Sequence, residues 1–201
     1  MTTPTDRLIR SLGVSPVVDK GGYRYFVHPL SDGIPYISLG MLEDTAESLM
    51  GLLPVPWDFD LILTAEAMGI HLATLISINT GLPFSIARKR SYGLEGETVT
   101  VQETGYSRTK MHINLPREPG SLVLLDDVIS TGGTFRSLVS GIERTGWKIE
   151  FGLVLFNKMD HDEKISLENE LGFEIRPLLN VYEVNGSFKA ERSKIAVKMG
   201  L

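Results

Sequence analysis

Residues 122–134 have the sequence LVLLDDVISTGGT, which joins an apolar run to two acids and a turn rich in hydroxyls and glycine. The run 122–125 is typical of a strand that is buried on both faces, as in parallel sheets. After the turn, apolar residues recur at helical spacing, at Phe135, Leu138, Val139 and Ile142. The stretch therefore predicts a strand–turn–helix unit of an α/β fold.

The same alternation of strands and helices continues on both sides of this unit. Apolar runs predict strands at 61–63, 84–87, 151–156 and 178–182, the last of them closing the sheet. Helical spacing predicts helices at about 42–53, 69–79 and 163–171. Strands that alternate with helices indicate a mainly parallel sheet with helices on both faces.

The chain divides at about residue 40. Residues 1–40 combine a short helical pattern at 6–12 with aromatic, strand-like pieces at 23–27 and 36–37, and they predict a small N-terminal hood, or cap region. Residues 41–201 form the predicted core. Inside it, residues 88–110 are polar, basic and glycine-containing, apart from a strand-like piece at 99–101, which is typical of a mobile functional loop.

Composition excludes several classes of function. The 201 residues are 42% hydrophobic, with a net charge of -5 and no cysteine. The acidic balance disfavours a general nucleic-acid or membrane-surface binder. The lack of cysteine excludes disulfides, thiolate metal sites and a cysteine nucleophile. We find no apolar stretch typical of a signal peptide or a membrane span, so we expect a cytoplasmic protein.

The two acids and the turn suggest one ligand with two kinds of group. Ser130, Thr131, Gly132, Gly133 and Thr134 offer backbone N–H groups and hydroxyls at a helix N-terminus, where an anion is favoured. Asp126 and Asp127 would repel that anion, so we expect them to accept hydrogen bonds from a pair of neutral sugar hydroxyls. We call these two carboxylates the diol pair, after the diol that they would bind. The segment is thus interpreted as a ribose-5-phosphate clamp.

The alternative is an ordinary surface strand–turn–helix in which Asp and Ser serve as helix caps. Capping, however, does not need two acids, three hydroxyl residues and two glycines within nine positions. Neither a lysine-bearing P-loop nor a dinucleotide fingerprint is present to compete with the clamp.

Residues 126–134, DDVISTGGT, resemble the signature of type I phosphoribosyltransferases. Residues 26–35 (FVHPLSDGIP), 66–69 (EAMG) and 104–107 (TGYS) resemble the archaeal hypoxanthine/guanine enzymes. Those enzymes are built more like adenine phosphoribosyltransferases than like the human-type hypoxanthine enzyme. The resemblance implies transfer of phosphoribosyl from phosphoribosyl pyrophosphate to a purine, with hypoxanthine or guanine favoured.

The resemblance also implies a pyrophosphate loop at Ala65, Glu66, Ala67, Met68 and Gly69, with a non-proline cis peptide expected between Ala65 and Glu66. The alternative is an ordinary strand–helix connection with Glu66 near the helix dipole.

Arg88 and Lys89 follow a predicted strand, in the basic triplet 88–90. Taken alone, the triplet is typical of a solvated surface. With the resemblance, we assign Arg88 and Lys89 to the departing pyrophosphate, because a leaving group that gains negative charge requires cations nearby.

Two glutamates are candidates for the acid/base group. Glu95 lies in a motif, 91–95, that is similar to the loop of adenine-type enzymes, whereas counting back from Glu118 places Glu103 at the equivalent position. Either is otherwise a surface carboxylate, and the sequence leaves both open. Ser130 stands where human-type enzymes carry an aspartate, so the proton has to be handled elsewhere.

For the base we expect a pocket of Phe26, Phe156 and Lys158, in which the rings stack on a purine and the ammonium group donates to a 6-oxo group. Burial in the core is the alternative for both phenylalanines, and solvation for Lys158.

Mg²⁺ is expected to be held mainly by the substrate, with no direct protein ligand. We further expect a homodimer. Adenine or xanthine as substrate, or a nucleic-acid-binding regulator that senses phosphoribosyl pyrophosphate, are the alternatives.

Overall fold

The computed structural model describes residues 2–103 and 108–201. Within these ranges the chain forms, in order, α1 (Pro4–Gly13), β1 (Val17–Lys20), β2 (Tyr23–Phe26), α2 (Pro29–Asp32), α3 (Leu39–Met50), β3 (Leu61–Ala65), α4 (Gly69–Thr80), β4 (Phe84–Ala87), β5 (Thr98–Glu103), β6 (Arg108–Ile113), β7 (Ser121–Ile129), α5 (Gly133–Ile142), β8 (Lys148–Asn157), α6 (His161–Leu171), β9 (Glu174–Val184), β10 (Ser187–Arg192) and α7 (Lys194–Lys198).

A six-stranded sheet in the order β10-β9-β8-β7-β3-β4 forms the centre of the molecule. In this sheet β4, β3, β7, β8 and β9 pair with their neighbours in parallel, and β10 pairs with β9 as an antiparallel edge strand. The predicted α/β class, with a mainly parallel sheet and helices on both faces, is confirmed. In such a sheet the carboxyl ends of the parallel strands share one edge, where open α/β sheets bind ligands.

Strand β7 shows why the central strands are apolar throughout. Val123 and Leu125 face a cluster that includes Leu8 of α1, whereas Leu122 and Leu124 face a cluster that includes residues of α5, α6 and β6. Side chains alternate between the two faces of a strand, so a strand covered on both faces needs apolar residues at every position.

The structure differs from the sequence prediction in several places, and it adds β1 and α2, which the sequence pattern did not predict. Residues 36–37 are not a strand, and they lie in the short connection between α2 and α3. The strand β9 is not the last, because β10 and α7 follow it. The segment 88–110 contains the antiparallel hairpin β5–β6 rather than loop alone.

The strand β10 was missed because its apolar pattern is weak: Phe188 is its one large apolar residue. The turn before it was nevertheless visible. Asn185 and Gly186 both have positive φ and join paired Val184 and Ser187. Asn-Gly is the preferred sequence for such a two-residue hairpin turn.

The N-terminal region shares the main core. Leu8, Leu12, Phe26 and Leu30 are buried in the same cluster as the residues of β7 that face this side. The boundary between the hood and the core at residue 40 stays a prediction. Among the described residues, no helix is long and apolar enough to cross a bilayer.

Candidate active site

Three predicted groups of site residues meet at one edge of the sheet. Strand β3 pairs in parallel with β7, and β7 pairs in parallel with β8. The segments that leave their carboxyl ends, 66–68, 130–132 and residue 158, are therefore neighbours. This placement brings together the residues expected to hold pyrophosphate, ribose phosphate and base.

The diol pair lies in the last part of β7, with Asp126 buried and Asp127 half-buried. Asp126 is 7% exposed and accepts a hydrogen bond from the backbone N–H of Asp127 at 3.0 Å. Burial raises the pKa of Asp126 to about 6, although hydrogen bonds from Asp127 and the Thr134 side chain lower it. Burial, followed by the charge of Asp126, raises the pKa of Asp127 well above its usual value, and Asp32 of α2 adds to the effect. The pair is thus costly to keep fully ionised.

The phosphate loop, residues 130–134, lines a cavity of about 340 Å³ together with Asp126 and Tyr23 of the hood. Gly132 has φ of 76° at the start of α5, and no side chain in the described part of the chain caps this helix. A Cβ at Gly132 would lie 2.6 Å from Leu167 Cδ2, so only glycine fits. The uncapped N–H groups and the helix dipole suit a phosphate.

Arg136 fixes the phosphate loop from outside. Its Nη1 donates to the Thr131 carbonyl at 2.5 Å, and its Nε and Nη2 form two bonds of 2.7 Å with the Glu170 carboxylate. This paired geometry holds the loop against α6.

The pyrophosphate loop, residues 65–69, connects β3 to α4. Its non-proline cis peptide joins Glu66 and Ala67, so the predicted position, between Ala65 and Glu66, was wrong by one bond. The Glu66 N–H donates to the Ala87 carbonyl at 3.0 Å, so the pairing with β4 continues one residue beyond the end of β3. The turn therefore begins one residue later than the sequence predicted.

Gly69 allows α4 to begin directly against the sheet. A Cβ at Gly69 would lie 1.8 Å from Thr64 Oγ1, a hydroxyl that donates to the Leu125 carbonyl at 2.8 Å. The missing side chain thus lets the N-terminus of α4 approach the end of β7.

Arg88 and Lys89 lie beside the pyrophosphate loop. The Glu66 carboxylate accepts from Arg88 Nη1 at 3.4 Å and from the Lys89 backbone N–H at 2.8 Å. Arg88 remains 40% exposed. Glu66 thus ties the cations to this loop while leaving surface for an anion.

Of the two candidate acid/base glutamates, the structure describes the side chain of Glu95 only. The Glu95 side chain is 87% exposed and forms an ion pair with Arg117 at 2.7 Å. The Glu103 side chain and the TGYS segment 104–107 lie outside the described residues. The assignment of the acid/base group stays a prediction.

Sequence reasoning missed Glu97, whose side chain is 7% exposed. Hydrogen bonds from Ser91, the Tyr92 N–H, Asn114 and His112 lower its pKa to about 2. No local pattern reveals this role, because two of the partners lie on or just after β6.

Phe26, Phe156 and Lys158, the residues expected to hold the base, lie close together. Phe156 is fully buried, Phe26 is 4% exposed, and the two rings meet edge to face at 5.5 Å. Burial is the alternative that the sequence left open for both rings, and stacking of a purine on them stays a prediction. Lys158 lies above them, with Nζ 5.9 Å from the Phe26 ring centre and 3.1 Å from the Tyr23 hydroxyl.

A larger cavity, of about 660 Å³, lies between α6, β9 and α7. It contains none of the predicted site residues. Lysines and glutamates both line it, so its side-chain charges favour neither an anionic nor a cationic ligand.

The chain is similar to several curated proteins over most of its length. It is 41% identical over 191 residues to the hypoxanthine/guanine phosphoribosyltransferase of Methanobacterium lacus, covering 94% of this chain and 97% of the relative. The enzyme of the same name from Aciduliprofundum boonei is 40% identical, with 90% and 97% covered. HGPRTase-like protein 2 of Haloarcula marismortui is 39% identical, with 90% and 94% covered. No model of a known protein family matches the chain.

Solved structures of adenine phosphoribosyltransferases share the fold. The enzyme from Thermoanaerobacter pseudethanolicus has a TM-score of 0.67 at 20% identity, over 87% of this chain and 98% of its own. The Saccharomyces cerevisiae enzyme, complexed with an imino-altritol bisphosphate and adenine, has a TM-score of 0.69 at 16% identity, over 87% and 97%. At these identities the likeness is one of fold.

Proposed function

The chain belongs to the hypoxanthine/guanine phosphoribosyltransferase family, and from this we propose that its site transfers phosphoribosyl from phosphoribosyl pyrophosphate to hypoxanthine or guanine. The products are a nucleoside monophosphate and pyrophosphate. The observation that supports this reaction most is the meeting of the diol pair, the phosphate loop and the Arg88–Lys89 cations at one sheet edge.

In the proposed reaction, the bond from the anomeric carbon to the pyrophosphate oxygen breaks and a bond to a purine nitrogen forms. Asp126 and Asp127 accept hydrogen bonds from the two ribose hydroxyls, and the phosphate loop holds the 5-phosphate. These contacts fix the sugar while positive charge develops on its ring.

Pyrophosphate gains charge as it leaves. Arg88 and Lys89 stabilise that charge together with the N–H groups at the start of α4. Closure of the segment 88–110 excludes water, which would otherwise hydrolyse the sugar donor. The purine gives up its proton to Glu95 or Glu103.

Mg²⁺ fits this site as an ion carried by the substrate. Among the described residues, no group of three or more His, Cys, Asp or Glu side chains could enclose a metal. Two adjacent carboxylates, Asp126 and Asp127, face the sugar hydroxyls that would carry the ion. Mg²⁺ commonly takes one or two carboxylates and substrate phosphates as ligands. When bound, it neutralises part of the diphosphate charge.

The base is recognised from the hood side. Lys158 Nζ and the Tyr23 hydroxyl form a pair 3.1 Å apart, next to the cavity lined by Tyr23 and the phosphate loop. An ammonium group donates and does not accept, so it favours a 6-oxo purine over adenine with its 6-amino group. Homodimer formation and a cytoplasmic location belong to the same proposal.

One assay panel tests the function. Hypoxanthine, guanine, xanthine and adenine are each supplied with phosphoribosyl pyrophosphate and Mg²⁺, and nucleotide formation is measured. Turnover of hypoxanthine or guanine above the others is expected. Turnover of adenine alone would overturn the base assignment. No turnover, combined with a shift of nucleic acid in a gel, would favour the regulator.

A further inference from the structure

Glu97 binds the start of the segment 88–110 to strand β6. Its side chain is 7% exposed, although it lies in a polar stretch of the sequence. Oε1 accepts from Ser91 Oγ at 2.5 Å and contacts His112 Nδ1 at 3.0 Å. Oε2 accepts from the Tyr92 N–H at 3.0 Å and from Asn114 Nδ2 at 3.2 Å.

All four partners act as donors toward one carboxylate. An ionised carboxylate can accept from all four, whereas an amide would turn its NH₂ group either toward Ser91 and His112, which would both have to become acceptors, or toward the Tyr92 N–H, which can only donate. The contact at His112 also fixes the ring, because Nδ1 must carry the proton to donate to an ionised carboxylate. The arrangement therefore favours an ionised glutamate over an amide of the same size.

The contacts continue from Glu97 to the pyrophosphate loop. The backbone of His112 pairs with Arg88 in both directions, with N–O distances of 2.9 and 2.6 Å. Arg88 and the N–H of Lys89 then bind Glu66. On the other side, the Asn114 carbonyl accepts from Ser85 Oγ of β4 at 2.9 Å. Glu97 therefore contacts His112, whose backbone pairs with Arg88, the residue next to Lys89.

We propose that Glu97 is a positioning residue that holds Arg88 and Lys89 against the pyrophosphate group through His112 and Asn114. The inference rests on the proposed function, in which these cations stabilise the leaving group. Among the described residues, the hydrogen-bond partners of Glu97 are Ser91, Tyr92, His112 and Asn114, and none of them belongs to the phosphate loop or the Lys158–Tyr23 pair. Loss of Glu97 should therefore affect pyrophosphate-bearing ligands selectively.

The test compares Glu97→Gln with Glu118→Gln, a control that changes an exposed carboxylate on the connection between β6 and β7. For Glu97→Gln we expect the KM for phosphoribosyl pyrophosphate, and for pyrophosphate in the reverse reaction, to rise about tenfold or more. The KM for the base and the Kd for the nucleoside monophosphate should stay unchanged, because neither ligand requires the cations. The control should match the wild type in every constant.

Ser91→Ala is the second variant, since it removes one donor from an exposed position and leaves the carboxylate in place. It should shift the same two KM values in the same direction, but less. A general loss, in which nucleoside monophosphate binding falls together with pyrophosphate binding in both variants, would overturn the positioning role. So would unchanged KM values for both pyrophosphate ligands. If the wild type neither binds nucleotide nor turns over, the proposed function has failed instead.

Discussion

Replacing Asp126 and Asp127 together by asparagine should stop turnover and yet make the folded protein more stable at neutral pH. Asp126 is buried and Asp127 is half-buried, and burial raises the pKa of Asp126 from 3.8 to about 6. The pKa of Asp127 is raised as well, first by burial and then by the charge of Asp126. In the unfolded chain both groups ionise at ordinary values. The wild type therefore keeps these acids for binding at a cost to stability.

The direction in which stability changes with pH follows from the raised pKa of Asp126. The contribution of such an acid to stability is complete below its unfolded pKa and is lost as the pH rises through the folded value. For Asp126, the interval from 3.8 to about 6 corresponds to roughly 3 kcal/mol, lost by slightly alkaline pH. Asparagine keeps an oxygen that accepts from the backbone N–H and does not ionise. The gain at slightly alkaline pH is therefore at most about this amount for Asp126, and 1 kcal/mol raises Tm by about 2–4 °C in a chain of this size.

The assay is urea unfolding at about pH 5 and about pH 8, with turnover measured on the same samples. The stability advantage of the double variant should grow between the two pH values, while nucleotide formation falls to background. Asp58→Asn, which neutralises an exposed carboxylate, is the control. An advantage that is equal at both pH values would refute the burial argument, and near-normal turnover would refute the ribose clamp.

Substitutions at the loop glutamates and at Gly69, together with one hydrogen-exchange measurement, test the rest of the site. Glu95→Gln should lower kcat by about 10²–10⁴-fold with little change in affinity for the sugar donor, and Glu103→Gln should be much milder; the reverse pattern would move the acid/base role to Glu103. Outside the paired strands β5 and β6, amides of the segment 88–110 should exchange quickly without ligand and slowly with nucleotide, or with the sugar donor and Mg²⁺; equal, strong protection in both states would exclude a lid. Gly69→Ala should destabilise the fold by about 1–3 kcal/mol, because its Cβ meets Thr64 Oγ1. Adding Thr64→Ala should recover part of this loss, whereas purely additive costs in urea unfolding would contradict the contact.

Much of the fold was predictable because its signals are local. Strands buried on both faces need continuous apolar runs, and amphipathic helices need apolar residues at helical spacing, so neighbouring residues decide both. The strand β4 has the predicted bounds, and β7 and α5 include the predicted residues. The strand β10 was missed because its apolar pattern is weak, although Asn185 and Gly186 carried the signal for its turn.

By itself, the sequence determined the strand–turn–helix unit, the acids, hydroxyls and glycines that it carries, and the sheet edge at which the loops meet. Only the tertiary structure decided how those groups are surrounded. It placed Phe26 and Phe156 in the core, paired Lys158 with Tyr23, and gathered distant donors around Glu97. The physical reason is that burial and hydrogen bonding depend on residues far apart in the chain, whereas strand and helix patterns depend on adjacent ones.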